Sequence, residues 1–509
     1  MREMITLDGH SMTLDDLIAV AHDFAPVAIA PAAMERVRAA RAVVDRLARG
    51  DAPFYGINTG FGSFAETRIP PESLDVLQLN LLRSHAAGVG EPLSVPAVRA
   101  MMALRANILA KGYSGIRPET LQAFVELLNR RVHPVVPSRG SVGASGDLAP
   151  LAHLALVLIG EGEAFAGDTD AREPGAAALR RAGLAPSALA AKEGLALING
   201  TQASTGLLGL ALAAAEGLAR AADVIAALSL DGLQGSMKPF DPRIHEARGF
   251  PGQSVSAANI LALMTGSPIN ASHADCGRVQ DAYSMRCAAQ VHGAAREAFR
   301  FAHEVFAIEA NAATDNPMVF TAEEEIVSGG NFHGAPVGIA ADLVCIGVTH
   351  LATISERRSE RLVNPALSGL PAFLTHHGGV ESGLMMAQVT AAAVTSELKT
   401  LAHPASVDTI PTSGNKEDHV SMSMSAALKA VRAVDLARYV LAVEALCACQ
   451  AIDLLAPLTS SPPLTRVHAC VRTRVPVLEH DRPPAHDLAL IADLIASGDL
   501  ERACGTKVN

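Results

Sequence analysis

The chain has 509 residues, of which 49% are hydrophobic but only 4% aromatic, with no Trp. A core of that size has to be built from Ala, Leu and Val, which suits closely packed helices. With 52 acidic against 41 basic residues the formal net charge is −11, which argues against a sequence-independent grip on nucleic acid.

In chain order, the opening Met1-Arg-Glu-Met-Ile-Thr-Leu-Asp8 carries charges where a signal peptide needs an apolar run. From residue 1 to about 200, Gly and Pro interrupt the pattern and predict short helices joined by active loops. Beyond Thr201 the periodicity becomes long and helical. The segment 205–228 repeats Glu216, Arg220 and Asp223 along one side, and 342–361 and 383–401 are similarly rich in small residues. Such faces suit close helix approach and contact with another copy. Gln280, Tyr283 and Arg286 are spaced to share one broad helical face. Asn415 is placed as an N-cap, with Glu417 and Asp418 in the first turn. Cys447-Ala-Cys449 reads as helix core, and the seven cysteines without a Cys-x-x-Cys pair imply free thiols in a reducing cytoplasm. Uncharged helical stretches such as 203–215 are too short and Gly-rich to span a bilayer. No linker or internal repeat divides the chain. The expected fold is all-α, one unit made of a loop-rich N-terminal region (about 1–200) and an elongated long-helix bundle (about 201–509).

The stretch Gly140-Ser-Val-Gly-Ala-Ser-Gly-Asp-Leu-Ala-Pro-Leu151 carries the most chemistry. Attack of the Gly146 amide nitrogen on the Ala144 carbonyl would close a five-membered ring. Loss of two waters, one taking the Ser145 hydroxyl, then leaves an exocyclic methylidene. Glycine leaves room for that approach, and a bent loop has to offset the broken amide resonance. A phosphate loop needs Gly-x-Gly-x-x-Gly or a Gly-Lys-Ser/Thr ending, and neither is present. A serine-hydrolase elbow needs Gly-x-Ser-x-Gly, but Asp147 follows Gly146. A plain flexible turn would be the default for this loop alone.

The rest of the chain overturns that default. The string from Pro137 to His153 resembles the signature of the aromatic amino acid ammonia-lyases, whose prosthetic group is methylidene-imidazolone (MIO). Tyr55-Gly-Ile-Asn-Thr-Gly-Phe-Gly62, Asn199-Gly-Thr, Gln280-Asp-Ala-Tyr-Ser-Met-Arg286, Thr314-Asp-Asn-Pro317, Gly329-Gly-Asn-Phe332 and Asn415-Lys-Glu-Asp-His419 follow in the family's order along nearly the whole chain. The resemblance implies an MIO group formed autocatalytically from Ala144-Ser145-Gly146, with no external cofactor. It implies Tyr55, on a lid, as the base that removes a β-proton. Arg286 would grip the substrate carboxylate with its guanidinium fork, with Gln280 beside it. Asn199 and Tyr283 would stabilise charge developing on the MIO oxygen. Phe332 would line the pocket, and Asp147 would hold or activate the loop, N-capping being its plainer role. The resemblance also implies a homotetramer with active sites shared between subunits. No ligand spacing for a metal occurs near these motifs.

Two positions speak to the substrate. Adjacent pocket residues tend to be Phe-Leu in the family's phenylalanine lyases, His-Leu in its tyrosine lyases and Ser-His in those acting on histidine. Ser84-His85 stands here. Glu417 replaces the Gln usual in phenylalanine and tyrosine lyases. An imidazole can satisfy both polar groups, whereas an apolar ring would leave them buried and unpaired. The expectation is elimination of ammonia from L-histidine to give trans-urocanate, the opening step of histidine degradation. A tyrosine or phenylalanine lyase, or an MIO aminomutase, is the alternative. Arg83, where Leu is common, and Lys416, where Gln is frequent, depart from the pattern.

Overall fold

The computed structural model describes residues 3–50, 52–60, 67–167, 169, 171–274, 276–277 and 279–509. Helices dominate, as the Ala- and Leu-rich composition predicts. Those before Thr201 run from 6 to 18 residues, while Gln202–Gly232, Ala335–Val363 and Ser423–Leu454 reach 31, 29 and 32. The chain forms two compact units, 1–210 with 303–342 and 404–428, and 211–302 with 343–403 and 429–509.

In the first unit, helix Val95–Ala110 is buried without a break from Ala97 to Ala110, so it is enclosed on all sides rather than amphipathic. Ser94 caps its start by accepting the Ala97 N–H at 3.4 Å. Its two arginines are also buried, and each spends its guanidinium on carbonyl groups. Arg99 donates to Val20 O at 2.8 Å and Leu128 O at 3.0 Å. Burial pulls Arg99 and Arg105 down to about 10, which still leaves both charged at neutral pH. Helices Leu74–His85, Leu148–Leu158 and Glu193–Ile198 pack against one another. Short two-stranded ribbons, not foreseen in the sequence, tie loop ends together. Val89–Pro92 pairs antiparallel with Pro137–Arg139, which fixes the exit from His85 beside the entry to the Gly140 loop.

The second unit buries charge in networks. Asp223, on the side of its helix expected to be charged, is fully buried and accepts from His292 Nδ1 at 2.7 Å, Arg296 Nη2 at 2.7 Å and Asn259 Nδ2 at 2.9 Å. Cys447 and Cys449 are core, and burial pushes both thiols up, Cys449 to about 12. Helix Ala335–Val363 corrects the expectation that no stretch reaches membrane length. Its most apolar 18-residue window has a mean hydropathy of 1.8, but 67% of that window is buried in protein.

Burial also holds the imidazoles of His22, His85, His153, His245 and His292 below their ordinary value. As pH falls through about 6.5 the unfolded chain takes up protons that these folded groups refuse, so stability is lost on the acid side. The urea midpoint is expected to drop between about pH 7.5 and 5.5. A flat midpoint over that range would contradict the burial of these rings.

Candidate active site

The reactive triplet lies in the turn leading into helix Leu148–Leu158, with Asp147 at its N-cap position. Gly146 forms a parallel bridge with Gly200, and the Asp147 N–H donates to Gly200 O at 2.7 Å. Gly146 has φ +73°, and a Cβ there would come within 2.3 Å of Gly200 O, so only glycine fits. Asn199, the C-cap of helix Glu193–Ile198, turns its amide back onto the triplet. Its Nδ2 donates to Ser145 O at 3.0 Å and to Ser145 Oγ at 2.7 Å. Asn199 Oδ1 is buried without a partner. Asp147 does not cap its helix through its side chain. It accepts instead from Ser141 Oγ at 3.0 Å, Ser204 N at 2.7 Å and Ser204 Oγ at 2.8 Å, which ties the loop to helix Gln202–Gly232. Burial pushes the Asp147 carboxyl up despite these bonds.

Beneath the clasp lies Arg105, which sequence reasoning passed over. Its Nη1 donates to Asn199 O at 2.7 Å and Gln202 Oε1 at 2.6 Å, and its Nη2 to Ala196 O. The guanidinium therefore satisfies carbonyls that a helix end leaves orphaned. An Arg inside an otherwise apolar helix was the available signal. Gln202 Nε2 donates to Thr314 Oγ1 at 2.8 Å, and Lys192 Nζ approaches Asp315 Oδ2 at 3.5 Å. The Thr314-Asp-Asn-Pro317 motif is thus part of the floor, and Asn316 Oδ1 accepts from Gly329 N at 2.8 Å.

The Gly329–Phe332 and Asn415–His419 motifs meet in the same unit. His333, next to half-buried Phe332, lies with its ring 5.6 Å from that of His419. The following residues close on the triplet loop, where Ser421 Oγ donates to Gly143 O at 3.0 Å and Met422 N to Val142 O at 2.9 Å. Ala144, Val420 and Met422 share a small apolar cluster. Asn415 does not cap a helix, contrary to expectation. It sits in a left-handed turn at φ +68°, and the helix begins only at Ser423. The turn brings Glu417 back onto Thr412, and both Thr412 Oγ1 and Ser413 Oγ donate to Glu417 Oε2, at 2.7 and 2.8 Å.

Ser84 and His85 end helix Leu74–His85. The His85 Nδ1 lies 2.9 Å from Leu81 O, and a carbonyl only accepts, so Nδ1 carries the proton and Nε2 presents a lone pair. Burial lowers the His85 pKa, opposed by the Leu81 carbonyl and by the charge of Glu417, which lies within electrostatic reach. Arg83 faces outward in an ion pair with Glu161, Nε to Oε2 at 3.0 Å. Tyr55 is half-buried in the turn after Phe54, which Asn58 braces by accepting the Phe54 N–H at 2.7 Å. Phe61 and Gly62 of that motif lie outside the described residues.

Gln280, Tyr283 and Arg286 belong to the second unit. They do not share one long helix. Tyr283–Arg286 is a single turn, and Gln280 precedes it in the wall of a cavity of about 270 Å³. Arg286 Cζ lies 4.6 Å from the centroid of the Tyr283 ring. Tyr283 is 70% exposed, while the buried Arg286 Nε has no partner. Among the described residues no group of three or more His, Cys, Asp or Glu side chains could hold a metal.

A family model described as aromatic amino acid lyase matches residues 12–473, and the chain belongs to that family. It is 57% identical over 507 residues to the histidine ammonia-lyase of Anaeromyxobacter sp. (strain K), covering 98% of this chain and 100% of that protein. Among solved structures, the histidine ammonia-lyase of Trypanosoma cruzi is 44% identical, with TM-score 0.92 and 99% and 95% of the two chains covered. The tyrosine aminomutase of Streptomyces globisporus is 36% identical, with TM-score 0.94 and both chains fully covered. The backbone alone therefore does not separate lyase from mutase, whereas these two histidine enzymes share more of their sequence with this chain than the mutase does. Family membership implies an MIO group, and the glycine-only contact at Gly146 and the Asn199 amide aimed at Ser145 fit that group.

Proposed function

We propose that this chain eliminates ammonia from L-histidine to give trans-urocanate. The observation that carries the reading is the presence, within one unit and within electrostatic reach of each other, of His85 and Glu417, two acceptors for a ring N–H. The MIO group, formed from Ala144-Ser145-Gly146, supplies an electrophile that turns the substrate's amino group into a leaving group. Asn199, with its amide on Ser145 and held by Arg105, keeps a donor where negative charge develops. Asp147 holds the loop bent through Ser141 and Ser204. Tyr55 takes the β-proton onto its phenolic oxygen, and Arg286 binds the substrate carboxylate, with Gln280 and Tyr283 beside it. Ser84, His85 and Glu417 orient the ring, and Phe332 packs near it.

The same proposal includes a homotetramer with shared sites. The exposure of Tyr283 at 70%, and of Met386 and Val389 at 58% and 45% on helix Met385–Leu401, supports it. A cytoplasmic setting and a single lyase unit, with an active-site region to about 200 and a long-helix bundle beyond, complete the reading.

The test is near-ultraviolet absorbance of the protein incubated separately with L-histidine, L-tyrosine and L-phenylalanine. A conjugated acrylate is expected with histidine only. A signal with tyrosine or phenylalanine instead would overturn the pocket assignment. A β-amino acid without released ammonia would establish the aminomutase.

A further inference from the structure

We infer that Thr412 and Ser413 are positioning residues for ring recognition, fixing which oxygen of Glu417 faces the substrate. The inference rests on Glu417 being the ring partner. Glu417 Oε2 is occupied by two hydroxyl donors, Thr412 Oγ1 at 2.7 Å and Ser413 Oγ at 2.8 Å. Oε1 accepts no hydrogen bond among the described residues. A carboxylate flips freely between equivalent orientations unless its lone pairs are taken. Two donors on one oxygen remove that freedom and leave the other oxygen as the acceptor for a ring N–H.

The backbone is built to make this possible. Ser413, Gly414 and Asn415 have φ of +50°, +62° and +68°, three left-handed residues in succession. Two of them are not glycine, so the turn is strained and persists only because its surroundings over-determine it. Thr412 N donates to Glu417 O at 2.9 Å and Asn415 N to Thr412 O at 3.0 Å, which closes the turn and sets the Thr412 hydroxyl against the Glu417 side chain. Strain held next to a pocket residue, with both nearby hydroxyls directed at one oxygen, marks preorganisation for a ligand. The Asn415-Lys-Glu-Asp-His419 motif therefore extends three residues toward the N-terminus, to Thr412.

The experiment compares Thr412→Val, Ser413→Ala, the double variant and Thr412→Ser in the full-length protein. L-Histidine kinetics are read together with competitive inhibition by imidazole, a ring probe, and by glycine, a carboxylate and amine probe. In the double variant KM for L-histidine is expected to rise about tenfold, the worth of one oriented hydrogen bond. Its kcat should stay within about threefold, as loss of uniform binding predicts. Imidazole inhibition should weaken in parallel, glycine inhibition should not move, and Thr412→Ser should retain the parent KM. An unchanged KM in the double variant overturns the inference, because the hydroxyls then only close the turn. Equal loss of imidazole and glycine binding also overturns it, since it reports general collapse of the site. If the unaltered protein forms no urocanate, the parent reading falls and this one with it. Urocanate formation with an insensitive KM sinks this one alone.

Discussion

Ser145→Ala is expected to lower kcat for L-histidine by at least about a thousandfold while leaving the protein folded. The substitution removes one hydroxyl from a half-buried position and leaves the Ser145 carbonyl, at 3.0 Å from Asn199 Nδ2, to hold the clasp. What it destroys is the atom whose loss makes the methylidene. Intact mass reports that chemistry separately. The unaltered protein should fall short of its sequence mass by two waters, about 36 Da, and Ser145→Ala should show no formation of the dehydrated group. Gly146→Ala gives the architectural comparison. Its Cβ would meet Gly200 O at 2.3 Å at a φ of +73°, so that variant should lose both the bridge to Gly200 and much of its stability. Retained turnover in Ser145→Ala would remove the triplet from the chemistry altogether.

Local pattern made the helical fold legible. An Ala- and Leu-rich chain with long 3.6-residue periodicity beyond Thr201 has few ways to bury its surface except helix on helix, and the 31-, 29- and 32-residue helices follow. The triplet and the Ser84-His85 pair were legible as strings because their chemistry depends on residue type. What stayed hidden depends on distance in space. Asp147 looked like an N-cap, yet its carboxylate reaches Ser204, 57 positions away. Asn415 looked like an N-cap because Asn before acidic residues favours one. Asn also tolerates positive φ, and the turn that returns Glu417 to Thr412 uses that second property. Gln280 was spaced as if on one helix with Tyr283 and Arg286, but the helix there lasts a single turn. Thr412 and Ser413 had no periodic or motif signal of their own, and Arg105 only its place in an apolar helix. Each acts through a neighbour that did.

Arg105→Met should destabilise the protein by about 3–5 kcal/mol, the usual cost of removing one partner from a buried charged network. Methionine matches the arginine stem in length and leaves little cavity, so the effect isolates the lost donors. Asn199 O, Gln202 Oε1 and Ala196 O would each remain buried without their present donor, and each such group costs about 1–3 kcal/mol. Asp315 would also lose a cation whose charge helps to hold its carboxylate ionised against burial. Arg105→Lys should recover part of the loss, since an ammonium keeps the charge but lacks the planar fork that spans separate acceptors. The functional consequence follows from position. Asn199 points its Nδ2 at Ser145 because its own carbonyl is pinned from below, so freeing that carbonyl should lower kcat even in the folded fraction. Urea unfolding and turnover, both measured well below the melting temperature, separate the two effects. Stability within about 1 kcal/mol of the unaltered protein would show that other donors replace the guanidinium. A full kcat in a destabilised Arg105→Met would confine Arg105 to the core and detach it from the placement of Asn199.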